Sequence, residues 1–133
     1  MIDREPAMDL LEHETQPLEA WRDGVMTRMR VSALVKAHQL CIFEQFCDPG
    51  LGAPLHIHAV EEVLEVMEGV AEIHLNGESR IVQPNVSVLI PAGAKHGFKN
   101  VGTGILKVRA TLAASIFEAS YDDRAELSRR YTP

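Results

Sequence analysis

The stretch that decides the fold of this 133-residue chain is Gly50-Leu51-Gly52-Ala53-Pro54-Leu55-His56-Ile57-His58-Ala59-Val60-Glu61-Glu62. Side chains two apart on a β-strand point to the same face, so His56 and His58 point together. The three residues after His58 are enough for a short turn, which would bring the Glu62 carboxylate from the next strand beside both imidazoles. One local unit therefore offers three metal ligands.

A fourth ligand candidate lies well downstream, in Ile90-Pro91-Ala92-Gly93-Ala94-Lys95-His96. Proline and glycine mark a turn here, and His96 opens the segment after it. A closed sheet could place His96 opposite the first three residues. Three imidazoles and one carboxylate suit a divalent transition metal, and iron, manganese, zinc, nickel, cobalt and copper all remain open because raw affinity does not select among them.

The spacing of these residues resembles the two motifs of the cupins, a family of small metal-binding β-barrels. The first motif is met at Gly50, His56, His58, Glu62 and Gly69, and the second at Pro91, Gly93, His96 and Asn100. The leading glycine of the second motif is replaced by Asn85, and Asn is the next residue after Gly to tolerate positive φ. The resemblance covers residues 50–100 and implies a jelly-roll barrel of the single-domain type that binds metal through the two motifs.

The rest of the chain has the pattern of an all-β protein. About nine short apolar stretches alternate with turn signals, among them Asn76-Gly77, the strongest short hairpin signal. We predict one domain, with an irregular acidic arm over residues 1–20, a barrel over residues 21–119, and a tail over residues 120–133. Ser120-Tyr121-Asp122-Asp123 has the spacing of a capping box and Arg129 and Arg130 follow, so the tail is predicted to form a short helix.

Composition narrows the partners to small molecules. The formal net charge is −6, which argues against nucleic acid, and no apolar run reaches the roughly 18 residues of a membrane span. The first residues lack the apolar region of a signal peptide, so we expect a cytoplasmic protein. Cys41 and Cys47 lie six apart on one predicted strand, about 20 Å from each other, and are expected to be free thiols.

The reaction is left open by the ligand set. Four protein ligands on an ion that prefers six would leave two places, and the net positive centre favours an anionic or chelating oxygen ligand. We lean towards an enzyme with dioxygenase-like oxidoreductase chemistry on a small oxygen-rich metabolite. A metal-dependent isomerase or decarboxylase, and a non-catalytic binding or sensing protein, are the alternatives.

No separate catalytic group stands out in the sequence. Phe98 shares strand parity with His96 and is a candidate for the pocket lining, as are Glu44, Gln45 and Arg109 on predicted strands. A predicted strand from Val25 to Val35 has one apolar face and precedes the motif core, so it could pair with the sheet edge of a second subunit. The family resemblance also points to dimers, and we expect a homodimer.

Overall fold

A computed structural model describes residues 8–122 and 128–133 of the chain. These residues form thirteen β-strands and two short 3-10 turns, His13–Thr15 and Ala33–Val35. The strands are β1 (Glu19–Arg22), β2 (Val25–Val31), β3 (Cys41–Cys47), β4 (Gly52–Ile57), β5 (Glu62–Glu68), β6 (Ala71–Leu75), β7 (Glu78–Val82), β8 (Ser87–Ile90), β9 (His96–Asn100), β10 (Leu106–Leu112), β11 (Phe117–Glu118), β12 (Ser120–Tyr121) and β13 (Arg129–Arg130).

Two antiparallel sheets contain almost all of these strands. The larger has the order β1-β2-β3-β10-β5-β8 and the smaller the order β12-β4-β9-β6-β7, while β11 and β13 pair separately. Strands that alternate buried and half-buried residues turn one face inward, as β10 does with Leu106, Val108, Ala110 and Leu112 buried. The inward faces meet in one core that includes Leu64, Val66 and Val108. The all-β prediction is therefore confirmed.

Turn chemistry matches the sequence at the positions where the backbone needs positive φ. Asn85, which stands where the second motif has a glycine, has φ of 73°, and the Asn76-Gly77 hairpin between β6 and β7 has φ of 48° and 84°. Asn100 orders the turn after β9. Its buried amide donates to the carbonyls of Cys47 (2.9 Å) and Gly104 (2.8 Å), and its carbonyl oxygen accepts from the Gly102 amide (2.9 Å).

The structure corrects the prediction for the C-terminal tail. Where a short helix was predicted, the described residues Ser120–Tyr121 and Arg129–Arg130 are strands, and no α-helix occurs within residues 8–122 and 128–133. Part of the predicted helix, residues 123–127, lies outside the described residues. The capping-box pattern failed because Tyr121 pairs with His56 of β4, and this sheet pairing outweighs the weak local preference for helix.

The structure also shortens the strand predicted over residues 25–35. The strand ends at Val31, because the Ser32 hydroxyl accepts a hydrogen bond from the Leu34 amide and a 3-10 turn begins there. The strand lies between β1 and β3, so its own edges are already paired, and β1 is the edge of the sheet on this side. Both cysteines are free, as expected, and both are buried. None of the described helices is long and apolar enough to span a membrane.

Candidate metal centre

The four predicted ligands meet inside the molecule. His56, His58, Glu62 and His96 are each at most 6% exposed, and one potential ligand atom of each lies within 4.8 Å of all the others. His56 and His96 are paired residues of neighbouring strands β4 and β9 in the smaller sheet. Glu62 begins β5 in the larger sheet. His96 is thus beside His56, and it is Glu62 that reaches across from the facing sheet.

Backbone carbonyls fix the orientation of all three imidazole rings. The Nδ1 atoms of His56, His58 and His96 donate to the carbonyl oxygens of Pro54 (2.6 Å), Glu118 (2.7 Å) and Ala94 (2.9 Å), respectively. A carbonyl oxygen only accepts, so each Nδ1 must carry a hydrogen. Each Nε2 atom is therefore directed at the centre of the group, as metal-binding histidines require.

The distances between the converging atoms fit a single ion. Nε2 of His56 lies 3.2 Å from Nε2 of His58, and Oε1 of Glu62 lies 3.2 Å from Nε2 of His58 and 3.0 Å from Nε2 of His96. Ligands bound to one ion at about 2.1 Å and at right angles to each other would be about 3 Å apart. The side chains therefore already have the spacing that an ion between them would impose.

The charge states of these side chains also favour the binding of a metal ion. Burial, with the neighbouring His96 and His58, lowers the pKa of His56 to about 3, so this ring is neutral and has a lone pair to donate. Burial alone would raise the pKa of Glu62, but hydrogen bonds with His58 and His96 outweigh burial and lower it, so the carboxylate is ionised. Burial opposes the charged form of His96, yet its hydrogen bond to Glu62 raises the pKa of this ring. The contact of 3.0 Å between Nε2 of His96 and Oε1 of Glu62 joins two groups that a cation could bridge instead.

A small cavity adjoins these four residues. Its volume is about 20 Å³, which is room for roughly one water molecule. Its wall is largely apolar, with Phe43, Leu64, Val108 and Phe117 among the lining side chains, and the polar residues besides the four are Arg22, Gln45 and Tyr121, with Trp21 beside them. The Gln45 amide nitrogen donates to the buried Thr27 hydroxyl (3.1 Å), which holds its side chain in place.

Of the four residues expected in the lining, two are there. Gln45 and Phe98 border the cavity, whereas Glu44 and Arg109 do not. Strand alternation explains the difference, because Gln45 and Glu44 are neighbours on β3 and so point to opposite faces. On the outer face of the larger sheet Glu44 pairs with Arg30 (3.1 Å) and Lys107 (3.5 Å), and Arg109 pairs with Glu65 (3.1 Å).

The residues of the cavity wall to which the sequence did not point include Trp21, Arg22, Phe117 and Tyr121. A signal for the first two was present, since Asp23-Gly24 is a hairpin sequence and places Trp21 and Arg22 on a strand paired with β2. Phe117 and Tyr121 follow the last long strand in segments of two residues, which carry no periodic pattern to read. Trp21, Phe43 and Phe117 pack as an aromatic cluster behind His58.

Comparison with known proteins agrees with this architecture. The family model described as Cupin domain matches residues 43–113. The chain belongs to the cupin family.

Individual relatives are more distant. Over 82 residues the chain is 33% identical to mannose-1-phosphate guanylyltransferase ManC of Salmonella typhimurium, covering 62% of this chain but only 16% of that protein. The polyketide cyclase RemF from Streptomyces resistomycificus has a TM-score of 0.76 at 20% identity, over 90% of this chain and 89% of that one. A predicted oxalate decarboxylase from Thermotoga maritima has a TM-score of 0.71 at 18% identity, over 80% and 99% of the two chains. These structural likenesses establish the fold alone.

Proposed function

We propose that this cupin binds one divalent transition metal through His56, His58, Glu62 and His96, and that it is an oxygenase-like oxidoreductase acting on a small oxygen-rich or anionic metabolite. The observation that carries the proposal is the convergence of three Nε2 atoms and one carboxylate oxygen within 4.8 Å. Iron, manganese, zinc, nickel, cobalt and copper all suit these ligands. A metal bound here would supply a positive centre that polarises an oxygen ligand and, if redox-active, would exchange electrons with it.

The chain's own residues would prepare this centre in two ways. The carbonyls of Pro54, Glu118 and Ala94 keep the three rings oriented, and ligands held in advance lose little freedom when an ion binds. The apolar wall excludes water, and the Glu62 carboxylate offsets only one of the two charges of a divalent ion. An anionic ligand is therefore the favoured occupant of the remaining coordination places.

A non-catalytic binding or sensing role is the second candidate. The small volume of the cavity, about 20 Å³, favours it, because a cavity of this size holds little beyond the ion and one water molecule. Within the described residues the cavity wall also contains no carboxylate or histidine besides the four ligands. A metal-dependent isomerase or decarboxylase would use the same positive centre without transferring oxygen, and decarboxylases occur by name among the structural neighbours.

Metal analysis of protein purified without chelator tests whether the chain binds a metal ion, which all of these proposals require. We expect about one ion per chain in the wild type and in the control His74→Ala, whose histidine lies on the outer face next to Ser79, and a large loss in His96→Ala. Absence of retained metal from the wild type would contradict the proposal. Oxygen uptake by the iron-loaded protein with a panel of hydroxy acids and diols then separates the classes. Turnover without oxygen uptake would indicate an isomerase or decarboxylase, and tight binding without turnover a binding protein.

We also propose a homodimer, and we place its contact at β1 rather than at the longer strand beside it. The described residues of β1 form the outer edge of the larger sheet, where Glu19 and Ala20 are exposed. An unpaired strand edge has free backbone donors and acceptors for a second copy. Light scattering at micromolar concentration tests this, and a stable monomer would contradict it. The small-molecule partner, and the expectation that neither nucleic acid nor membrane is bound, stay predictions.

A further inference from the structure

Two side chains of the cavity wall, Arg22 and Tyr121, come from widely separated parts of the chain. Arg22 ends β1 and Tyr121 ends β12, and both are half-buried in the cavity wall. The Arg22 guanidinium donates to the Tyr121 hydroxyl over 3.5 Å and to the Gly52 carbonyl over 3.2 Å. The first of these distances is at the upper limit for a hydrogen bond, and a carboxylate oxygen, as a charged acceptor, would bind the guanidinium more strongly than the hydroxyl does.

Tyr121 links this pair to the candidate metal ligands. It is the register partner of His56 across β12 and β4, and the two ring centroids lie 5.5 Å apart. A ligand that touches the Arg22–Tyr121 pair would therefore also lie next to the imidazole of His56. One small molecule could contact both the ion and the guanidinium.

Charge in the cavity wall points to an anion at this place. Within the described part of the chain the charged residues of the wall are Arg22 and Glu62, besides the histidines. A divalent ion, one carboxylate and one guanidinium add up to two positive charges. Burial strengthens their attraction for an anion, and the planar guanidinium matches a carboxylate through two parallel hydrogen bonds.

Solvent reaches Arg22 from outside. Arg22 also borders an open groove of about 700 Å³ on the outer surface, beside Gly52, Ala53 and Lys99. The closed cavity holds roughly one water molecule, so any larger ligand must open it. Arg22, Ala53 and Phe98 line both the cavity and the groove, and Arg22 is the charged residue of the three, which makes it the natural place of entry for an anion.

We propose that Arg22 and Tyr121 form a carboxylate-binding subsite that selects small carboxylic acids with a second oxygen donor, such as 2-hydroxy acids. The ligand carboxylate inserts between the guanidinium and the phenol and accepts hydrogen bonds from both, and its second oxygen is directed at the metal. The inference rests on the proposed function, since the second oxygen needs the metal. Both residues are binding residues and take no part in bond making.

The test compares glycolate with glycolamide, a neutral molecule of nearly the same shape, as ligands of zinc-loaded protein, in which no redox turnover interferes. Dissociation constants are measured by calorimetry for the wild type, Arg22→Gln, Arg22→Lys and Tyr121→Phe. Arg80→Gln is the matched control, because Arg80 is an exposed arginine paired with Glu78. Zinc content is measured for every variant first, and circular dichroism checks folding.

The wild type should bind glycolate at least tenfold more tightly than glycolamide. Arg22→Gln should lose roughly 10- to 100-fold in affinity for glycolate and leave glycolamide unchanged, as expected for a lost charged hydrogen bond. Arg22→Lys, which keeps the charge and guards against a folding defect of the glutamine variant, should lose less, and Tyr121→Phe should lose several-fold.

Equal glycolate affinity in wild type and Arg22→Gln, with full zinc content, would overturn the subsite and leave the proposed function standing. Parallel losses for glycolate and glycolamide would also overturn it, because they would indicate damage to the metal centre instead of recognition of charge. A wild type without zinc would overturn the proposed function itself.

Discussion

The Nδ1 atom of His58 donates a hydrogen bond of 2.7 Å to the backbone carbonyl of Glu118, sixty residues further along the chain. This contact makes the segment after the last long strand a support for the metal centre. Phe117, the residue before Glu118, is 2% exposed and packs edge-on against His58 with ring centroids 5.4 Å apart. The position of the Glu118 carbonyl therefore depends on how firmly Phe117 is packed.

Replacement of Phe117 should weaken the metal site without removing a ligand. We expect Phe117→Ala to lower the free energy of unfolding by about 3–5 kcal/mol and the metal affinity by about 10- to 100-fold, because a cavity opens behind His58 and the carbonyl is no longer held. Chelator competition and denaturant titration measure the two effects. Phe117→Leu, a milder change, guards against complete unfolding. Phe46→Ala on the opposite face of β3 is the control, and equal metal affinities in Phe117→Leu, Phe46→Ala and wild type would contradict the prediction.

Stability of the metal-free protein should fall on acidification because of His56. Its folded pKa of about 3 lies below the unfolded value near 6.5. Between these values the unfolded chain binds a proton that the folded chain refuses, so the free energy of unfolding decreases as the pH falls from 7 towards 3, with an upper limit of about 5 kcal/mol. The raised pKa of His96 acts in the opposite sense, since its contribution is complete at low pH and is lost as the pH rises.

The variant His56→Asn separates the contribution of His56 to this pH dependence from that of His96. In urea titrations at pH 7, 6, 5 and 4, the free energy of unfolding should fall more steeply with decreasing pH for the wild type than for His56→Asn, which has no group to protonate at that position. The lowered pKa of Glu62 adds a loss only at the acid end, as the pH falls through its folded value. Parallel pH profiles for wild type and His56→Asn would mean that His56 is not kept neutral by its surroundings.

Gly52 and Gly97 allow strands β4 and β9 to approach each other closely, and neither should accept a side chain. A Cβ atom at Gly52 would lie 2.2 Å from the Phe98 carbonyl oxygen, and one at Gly97 would lie 2.7 Å from the Ala53 carbonyl oxygen. Backbone cannot move aside as a side chain can. We expect Gly52→Ala to destabilise the protein by about 1–3 kcal/mol or more in thermal or urea unfolding. Gly104→Ala, where nothing lies within 4 Å of the added atom, is the control and should change stability little.

The two cysteines should be inert in the folded protein. Burial raises the pKa of both Cys41 and Cys47 to about 12. At pH 8 the reactive thiolate fraction is therefore about a thousandfold smaller than for an ordinary thiol. Reaction with a chromogenic disulfide should be slow in buffer and complete in denaturant, and a cysteine introduced by Ser79→Cys at an exposed position gives the reference rate. Rapid labelling of the wild type would show that this part of the core opens.

The sequence predicted well which four side chains converge, because the spacing of three of them follows from local geometry. His56 lies near the end of β4, His58 follows two residues later, directly after that strand, and Glu62 begins β5 after one short turn. Gln45 and Glu44 show the limit of the same reasoning. Alternation along the strand predicts that one of the two side chains faces inward, and only the pairing of β3 with its neighbours decides which one it is.

The cavity wall was harder to predict because it is built by contacts distant in sequence. Arg22 and Tyr121 are 99 residues apart and meet only when both sheets are complete. The tail was predicted as helix from local signals, whereas Tyr121 lies in a strand because β4 offers it an edge. Local preferences amount to tenths of a kcal/mol per residue, and such pairing overrides them.

Arg22 and Tyr121 lie on the first and twelfth strands. The residues that would recognise a ligand therefore come from other segments of the chain than the residues that would hold the ion. The four candidate metal ligands belong to the middle of the chain, between residues 56 and 96, whereas the two residues of the proposed subsite come from the segments flanking it. Grafting alternative flanking segments that keep Phe117 and the Glu118 carbonyl beside His58 would then be a direct route to new ligand preferences on an unchanged middle.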